Sequence, residues 1–160
     1  MPVDMFLKID SIPGESKDNK NKDSIVIESF SWGETQTAQP GGGGQVFLQD
    51  LAFTKRMDKA SPKLALACAN GTAIPDAVLT CRKAGEQYQS KDAFLKIKLY
   101  DIIVSGYHTS AVAEGEEPVP VDQVSFNYSK IEWSYQQQDH QGDAVGSPEE
   151  ARISQPGGLV

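Results

Sequence analysis

Val46-Phe47-Leu48-Gln49-Asp50-Leu51-Ala52-Phe53-Thr54-Lys55 puts Phe47, Leu51 and Phe53 on one side of an extended chain. A period of two is that of a strand with one face against a core. The chain then passes through Arg56-Met57-Asp58-Lys59-Ala60 into Ser61-Pro62-Lys63-Leu64-Ala65-Leu66-Ala67-Cys68-Ala69-Asn70-Gly71, where the period changes. Ser61 suits an N-cap, and Pro62 suits the first helical position, where its missing N–H costs nothing. Leu64 and Cys68 lie four apart on one helical face, and Asn70-Gly71 supplies a stop. The centre of the chain therefore reads as a strand leading into one short helix.

Outward from there the chain reads as β-structure. Met5, Leu7 and Ile9 alternate with Phe6, Lys8 and Asp10. Residues 24–33 carry Ile25 and Ile27 on one face and Val26, Phe30 and Trp32 on the other, so this strand needs cover on both sides, within a barrel or from another subunit. Residues 34–45 are polar, small, Gly or Pro and read as a long exposed loop. Downstream strands are expected at 77–83, 93–104 and 123–136. In the last of these, Val124, Phe126 and Tyr128 share one parity while Ile131, Trp133 and Tyr135 share the other. That change of phase predicts a β-bulge near Ser129-Lys130. The pattern is mainly β: an antiparallel β-barrel of two curved sheets with one short α-helix packed on it. The barrel domain is expected over 1–137, and 138–160 as a polar, flexible C-terminal tail.

The chain has 160 residues, 39% of them hydrophobic and 23% charged, with a net charge of −7. Such an acidic balance argues against binding a nucleic-acid backbone. No run approaches the ~20 apolar residues of a membrane helix, and no stable membrane insertion is expected. Residues 1–10 lack a basic start and an apolar block, so a secretory signal is not expected and folding in the cytoplasm is. Cys68 and Cys81 are spaced neither as metal ligands nor as a redox pair. His108 and His140 stand without ligand-spaced partners. Gly41-Gly42-Gly43-Gly44 leads into Gln45-Val46 and a strand, whereas a phosphate loop leads into Lys-Ser/Thr and a helix. No catalytic, cofactor-binding or metal-binding residue is expected, and no cofactor.

Several of these stretches resemble one known family, the haemolysin-coregulated proteins (Hcp) of type VI secretion. The stretch from Val46 to Lys55, its continuation Asp58-Lys59-Ala60-Ser61-Pro62-Lys63-Leu64 and the helix exit Cys68-Ala69-Asn70-Gly71 are similar to it. So are Met5-Phe6-Leu7-Lys8-Ile9 with Gly14-Glu15-Ser16, and Ser31-Trp32-Gly33 ahead of a glycine-rich loop. Leu79-Thr80-Cys81-Arg82-Lys83-Ala84-Gly85 and Val124-Ser125-Phe126-Asn127-Tyr128 are similar in type and order. The resemblance implies a homohexameric ring that stacks with other rings into the inner tube of a contractile bacterial machine. Its partners would be a spike protein at the tip, the sheath and baseplate, and effector proteins in the lumen. The tube would be made in the bacterial cytoplasm and secreted through the type VI apparatus without a signal peptide. At the position of Gln39, Pro40, Gly41, Gly42, Gly43 and Gly44 the family's extended loop contacts the adjacent ring. From the residues themselves, Ser29 and Ser31 are small and uncharged, as a wall facing a lumen and its cargo needs; a solvent-facing rim reads the same way. A lipocalin-like barrel for a small molecule is the alternative, and it requires a cavity lined by inward apolar residues.

Overall fold

A computed structural model describes residues 2–116 and 118–155. The strands are β1 (Val3–Lys8), β2 (Ile25–Ile27), β3 (Ser29–Ser31), β4 (Glu34–Gln36), β5 (Val46–Leu48) and β6 (Leu51–Arg56), followed by the helix α1 (Ser61–Asn70). After it come β7 (Ala73–Lys83), β8 (Leu95–Ser110), β9 (Val121–Asn127), β10 (Lys130–Tyr135) and β11 (Glu149–Ser154). All ladders are antiparallel. One nine-stranded sheet runs β2-β1-β7-β8-β9-β6-β3, with β10 on β8 and β11 on β10; β4 and β5 form a separate pair. The two ends of the long path, β2 and β3, are consecutive in the chain with only Glu28 between them. The sheet thus bends round on itself and is joined by the chain at Glu28, short of a fully closed barrel. The two curved sheets expected from sequence are one bent sheet plus a hairpin.

The interior explains the alternation. Leu7, Ile25, Leu51, Leu79, Ile97, Leu99, Phe126 and Ile131 are all buried, and Leu64 of α1 is completely so. Phe53 and Phe126 meet edge to face with centroids 5.1 Å apart. Leu66 points outward and is exposed.

The change of phase is real but involves more than one strand. In β7 the buried residues pass from Ile74 to Ala77, in β8 from Leu99 to Ile102, and from β9 into β10 from Tyr128 to Ile131. These switches lie side by side, because Asp76 pairs with Tyr100 and Tyr100 with Lys130. Asp101, with φ +52°, takes a left-handed conformation there, and Ser129 Oγ donates to its carboxylate at 2.7 Å. Neighbouring strands turn over together, so the β8 register is the same on both sides of the line: Ile103 pairs with Asn127 and Tyr100 with Lys130. The bulge lies elsewhere, between Val104 and Gly106 of β8. Pro75, which has no N–H for a ladder, sits on the same line, where a bend tolerates it.

A similar turnover at Glu28 corrects the reading of residues 24–33. Ile25 and Ile27 face the core from β2, while Phe30 and Trp32 pack on the same core from the β3 side. Ile25, Ile27, Phe30 and Trp32 are therefore covered within one chain, while Val26 stays exposed. Residues 138–155, read as part of a loose tail, instead carry β11, which pairs with β10 from Lys130↔Ser154 to Tyr135↔Glu149. The rest of that tail, 156–160, lies outside the described residues.

Candidate assembly and cargo surfaces

The turnover at Glu28 decides where the two serines point. With Phe30 directed inward, Ser29 and Ser31 face out, both exposed. β6 and β9 extend this face, because Ser31 pairs with Ala52, Ser29 with Thr54, and these in turn with Ser125 and Gln123. Ser29 and Thr54 share a 2.5 Å hydroxyl hydrogen bond, and Ser125 shares one of 2.9 Å with Ser105. Gly106 keeps the face shallow, since a Cβ there would stand 2.8 Å from Ser125 Oγ. The result is an open depression of ≈ 450 Å³. In a chain of net charge −7, the described residues that line it carry no acidic or basic side chain except the imidazole of His108, and the Asp50 carboxylate borders it, accepting from Ser105 Oγ at 2.6 Å.

The second surface is the segment expected to be a structureless loop. It is a hairpin: Glu34 pairs with Leu48, Thr35 with Phe47 and Gln36 with Val46. Beyond the ladder, Thr37 N donates to Gln45 O at 3.1 Å and Gln45 N to Thr37 Oγ1 at 3.0 Å. A single bridge between Gln39 and Gly42 closes the tip at Pro40-Gly41. The glycines are there for geometry. Gly41, Gly42 and Gly43 all have positive φ (103°, 125° and 66°). Gly44 lies so close to Ala38 that a Cβ would stand 2.3 Å from the Ala38 Cα. Phe47 is 52% exposed on this arm.

Beneath the serine face lies a polar cluster that alternation alone does not reveal. Lys55 and Asp122 are completely buried. Lys55 Nζ lies 3.0 Å from Asp122 Oδ2 and donates to Asp58 Oδ1 and to Ser61 Oγ, each at 2.8 Å. Ser61 Oγ donates to Asp122 Oδ2 at 2.5 Å. Burial alone would raise the Asp122 pKa, but hydrogen bonds from Ser61, Lys55 and Thr109 outweigh it and hold the carboxyl below its ordinary value. Ser61 is therefore not the N-cap. Ala60 holds that position without a side-chain cap, and Asp58 Oδ1 accepts the Ala60 N–H at 2.9 Å. The helix exit is as expected, with Gly71 at φ 64° donating its N–H to Ala67 O.

Both cysteines are free thiols. Burial pushes the Cys81 thiol up to about 11, so it stays protonated at neutral pH. His140 offers its carbonyl to Tyr88 OH at 2.9 Å. Among the described residues no group of three or more His, Cys, Asp or Glu side chains could hold a metal ion, and no helix is long and apolar enough to cross a membrane.

A family profile described as "Type VI secretion system effector, Hcp" matches residues 6–135. The chain belongs to the Hcp family. It is 39% identical over 153 residues to Protein hcp1 of Pseudomonas aeruginosa, covering 92% of each chain. The crystal structure of Hcp1 from Salmonella typhimurium superposes with a TM-score of 0.77 at 34% identity, covering 96% of this chain and 95% of that one. A structure described as that of a type six secretion system protein superposes with a TM-score of 0.83 at 32% identity, covering 93% and 94%. Lys55, Asp58 and Ser61 fall within the matched residues, and the fold shows why they occur together. Asp122, their fourth member, is 61 residues from Ser61 and carried no sequence signal beyond its alternation with Val124.

Proposed function

We propose that this Hcp chain is the structural subunit of a type VI secretion inner tube, a homohexameric ring that stacks and carries effector proteins in its lumen. The observation that carries the reading is the uncharged serine face. A channel wall must let folded cargo slide, so it needs small polar groups and few charges, and this acidic chain keeps such groups on one half of its sheet. Ser29 and Ser31 then line the lumen and touch cargo. The arm with Gln39, Pro40, Gly41, Gly42, Gly43 and Gly44 at its tip reaches the adjacent ring. Spike, sheath and baseplate are the remaining partners, and the tube leaves the cytoplasm through the apparatus itself. The proposed work is mechanical and involves no catalysis. The small-molecule barrel has no comparable support, because Leu51, Phe53, Leu64, Ile97 and Phe126 fill the space it needs.

Negative-stain images of the purified protein should show rings with a central hole. Ser31→Lys should keep those rings while reducing the effector that co-purifies from a co-producing strain. Undiminished co-purification would remove Ser31 from the lumen, and monomers in place of rings would defeat the assembly reading.

A further inference from the structure

Two exposed apolar features lie at opposite ends of the same strands. Phe47 is carried on the β4–β5 arm, which leaves the sheet beside Leu51, the first residue of β6. At the other end, Arg56 pairs with Val121 and Met57 N donates to Pro120 O at 2.9 Å. There Val26, Met57, Pro118 and Val119 line a groove of ≈ 490 Å³. Val26 is 49% exposed, and Met57 and Val119 38% each.

We propose that the arm of a second copy seats Phe47 in the groove formed by Val26, Met57 and Val119. The inference rests on the assembly reading and adds the receiving site. The arm and the groove are different surfaces at opposite ends of the molecule, so copies in the same orientation meet head to tail through them. A copy displaced along the strand axis brings the arm of one onto the groove of the next, and the contact repeats without closing, as a stack requires. Charge selects the arm as occupant. Glu15, Glu28 and Asp58 stand around the groove with Arg56, so an acidic surface would be repelled. The arm, residues 34–48, holds one charged side chain, Glu34, at its base beside Leu48. The arm is also pre-shaped, because its ladder and glycine turns fix Phe47 before contact and little order has to be gained on docking. Val26 has no role in the chain's own core, although its neighbours Ile25 and Ile27 are buried; a partner's aromatic ring would cover it.

The test is a cysteine pair that leaves the anchor and the groove floor intact. In a Cys68→Ser background, Thr35→Cys (the cross-strand neighbour of Phe47) is combined with Pro118→Cys and oxidised at high protein concentration. Denaturing gels should show covalent ladders longer than one ring, whereas either cysteine alone stops at two chains. Adding Phe47→Ser, or Val26→Asp, should weaken the ladder by about tenfold or more while rings persist by light scattering. Ladders that end at the ring size would place the contact between neighbours in one ring and overturn the proposal. So would stacked rings that give no ladder, or ladders indifferent to Phe47→Ser and Val26→Asp. Monomers by light scattering would overturn the assembly reading along with it.

Discussion

Lys55 alternates with Phe53 and Leu51 along β6 and so falls on the inward face, where an aliphatic side chain would be the usual occupant. Its ammonium is tolerated there because Asp122, Asp58 and Ser61 surround it at 2.8–3.0 Å. A buried pair of this kind adds little net stability when intact, but is costly once broken. Lys55→Met should therefore destabilise the fold by about 3–5 kcal/mol at neutral pH, because it leaves a buried carboxylate without its cation. The pH dependence has a definite sign. The Asp122 pKa is lowered in the fold, so its contribution is complete above the unfolded carboxylate value of about 3.9 and is lost as pH falls through the folded one. Asp18 behaves alike, chiefly through its hydrogen bonds from Arg82 at 2.8 and 3.0 Å. In Lys55→Met the orphaned carboxylate is relieved by protonation, so the deficit should narrow on acidification towards pH 4. Urea unfolding at matched protein concentration checks both statements. A deficit independent of pH would mean that Lys55 acts through its packed methylene stem and not through its charge.

Among the elements, the helix was the most legible from sequence, because its signals are local. Pro62, the Leu64 position and Gly71 each act within one turn; the start differs by one residue, with Ala60 at the cap and Pro62 second in the helix, and Ser61 Oγ is claimed by a strand far away in sequence. Leu64 and Leu66 differ little as sequence but sit on opposite faces. Leu64→Ala should cost about 2–5 kcal/mol and Leu66→Ala close to nothing, as measured by thermal unfolding. Equal losses would mean that Leu66 is covered by a neighbouring chain. The strands were legible one at a time but not as a bent sheet. A period of two assumes a straight strand, and here Glu28, Asp101 and Ser129 each mark a turnover. A straight period of two across residues 24–33 therefore puts apolar residues on both faces, whereas Ile25, Ile27, Phe30 and Trp32 all face one core and Val26 is exposed. The hairpin was missed for a related reason. Its ladder is built from Glu34, Thr35 and Gln36 opposite Val46, Phe47 and Leu48, where no apolar face alternates. Phe47 belonged by parity with Leu51 and Phe53, yet it lies outside the core because the strand breaks at Gln49-Asp50.

At the scale of the whole molecule, charge and the apolar contact oppose one another. In the proposed hexameric ring, six copies at −7 each would give roughly −42, and two such rings would repel along the stacking axis. The Debye length shrinks from about 30 Å at 0.01 M salt to about 8 Å at 0.15 M, so the repulsion is largely removed over that range. A contact made by Phe47 in an apolar groove has no charge to screen and is unaffected or strengthened by salt. Stacking should therefore increase as salt rises from about 0.01 M to 0.15 M and level off beyond, while the proposed ring keeps its size. Sedimentation of stacked rings across a salt series measures this, with light scattering following ring size. An interface built on ion pairs, such as one engaging Arg56 and Glu28 across copies in place of the 3.2 Å contact they make within one chain, would weaken with salt. Stacks that dissolve as salt rises would therefore count against an aromatic anchor, and would point to the charged residues around the groove as the holding contact.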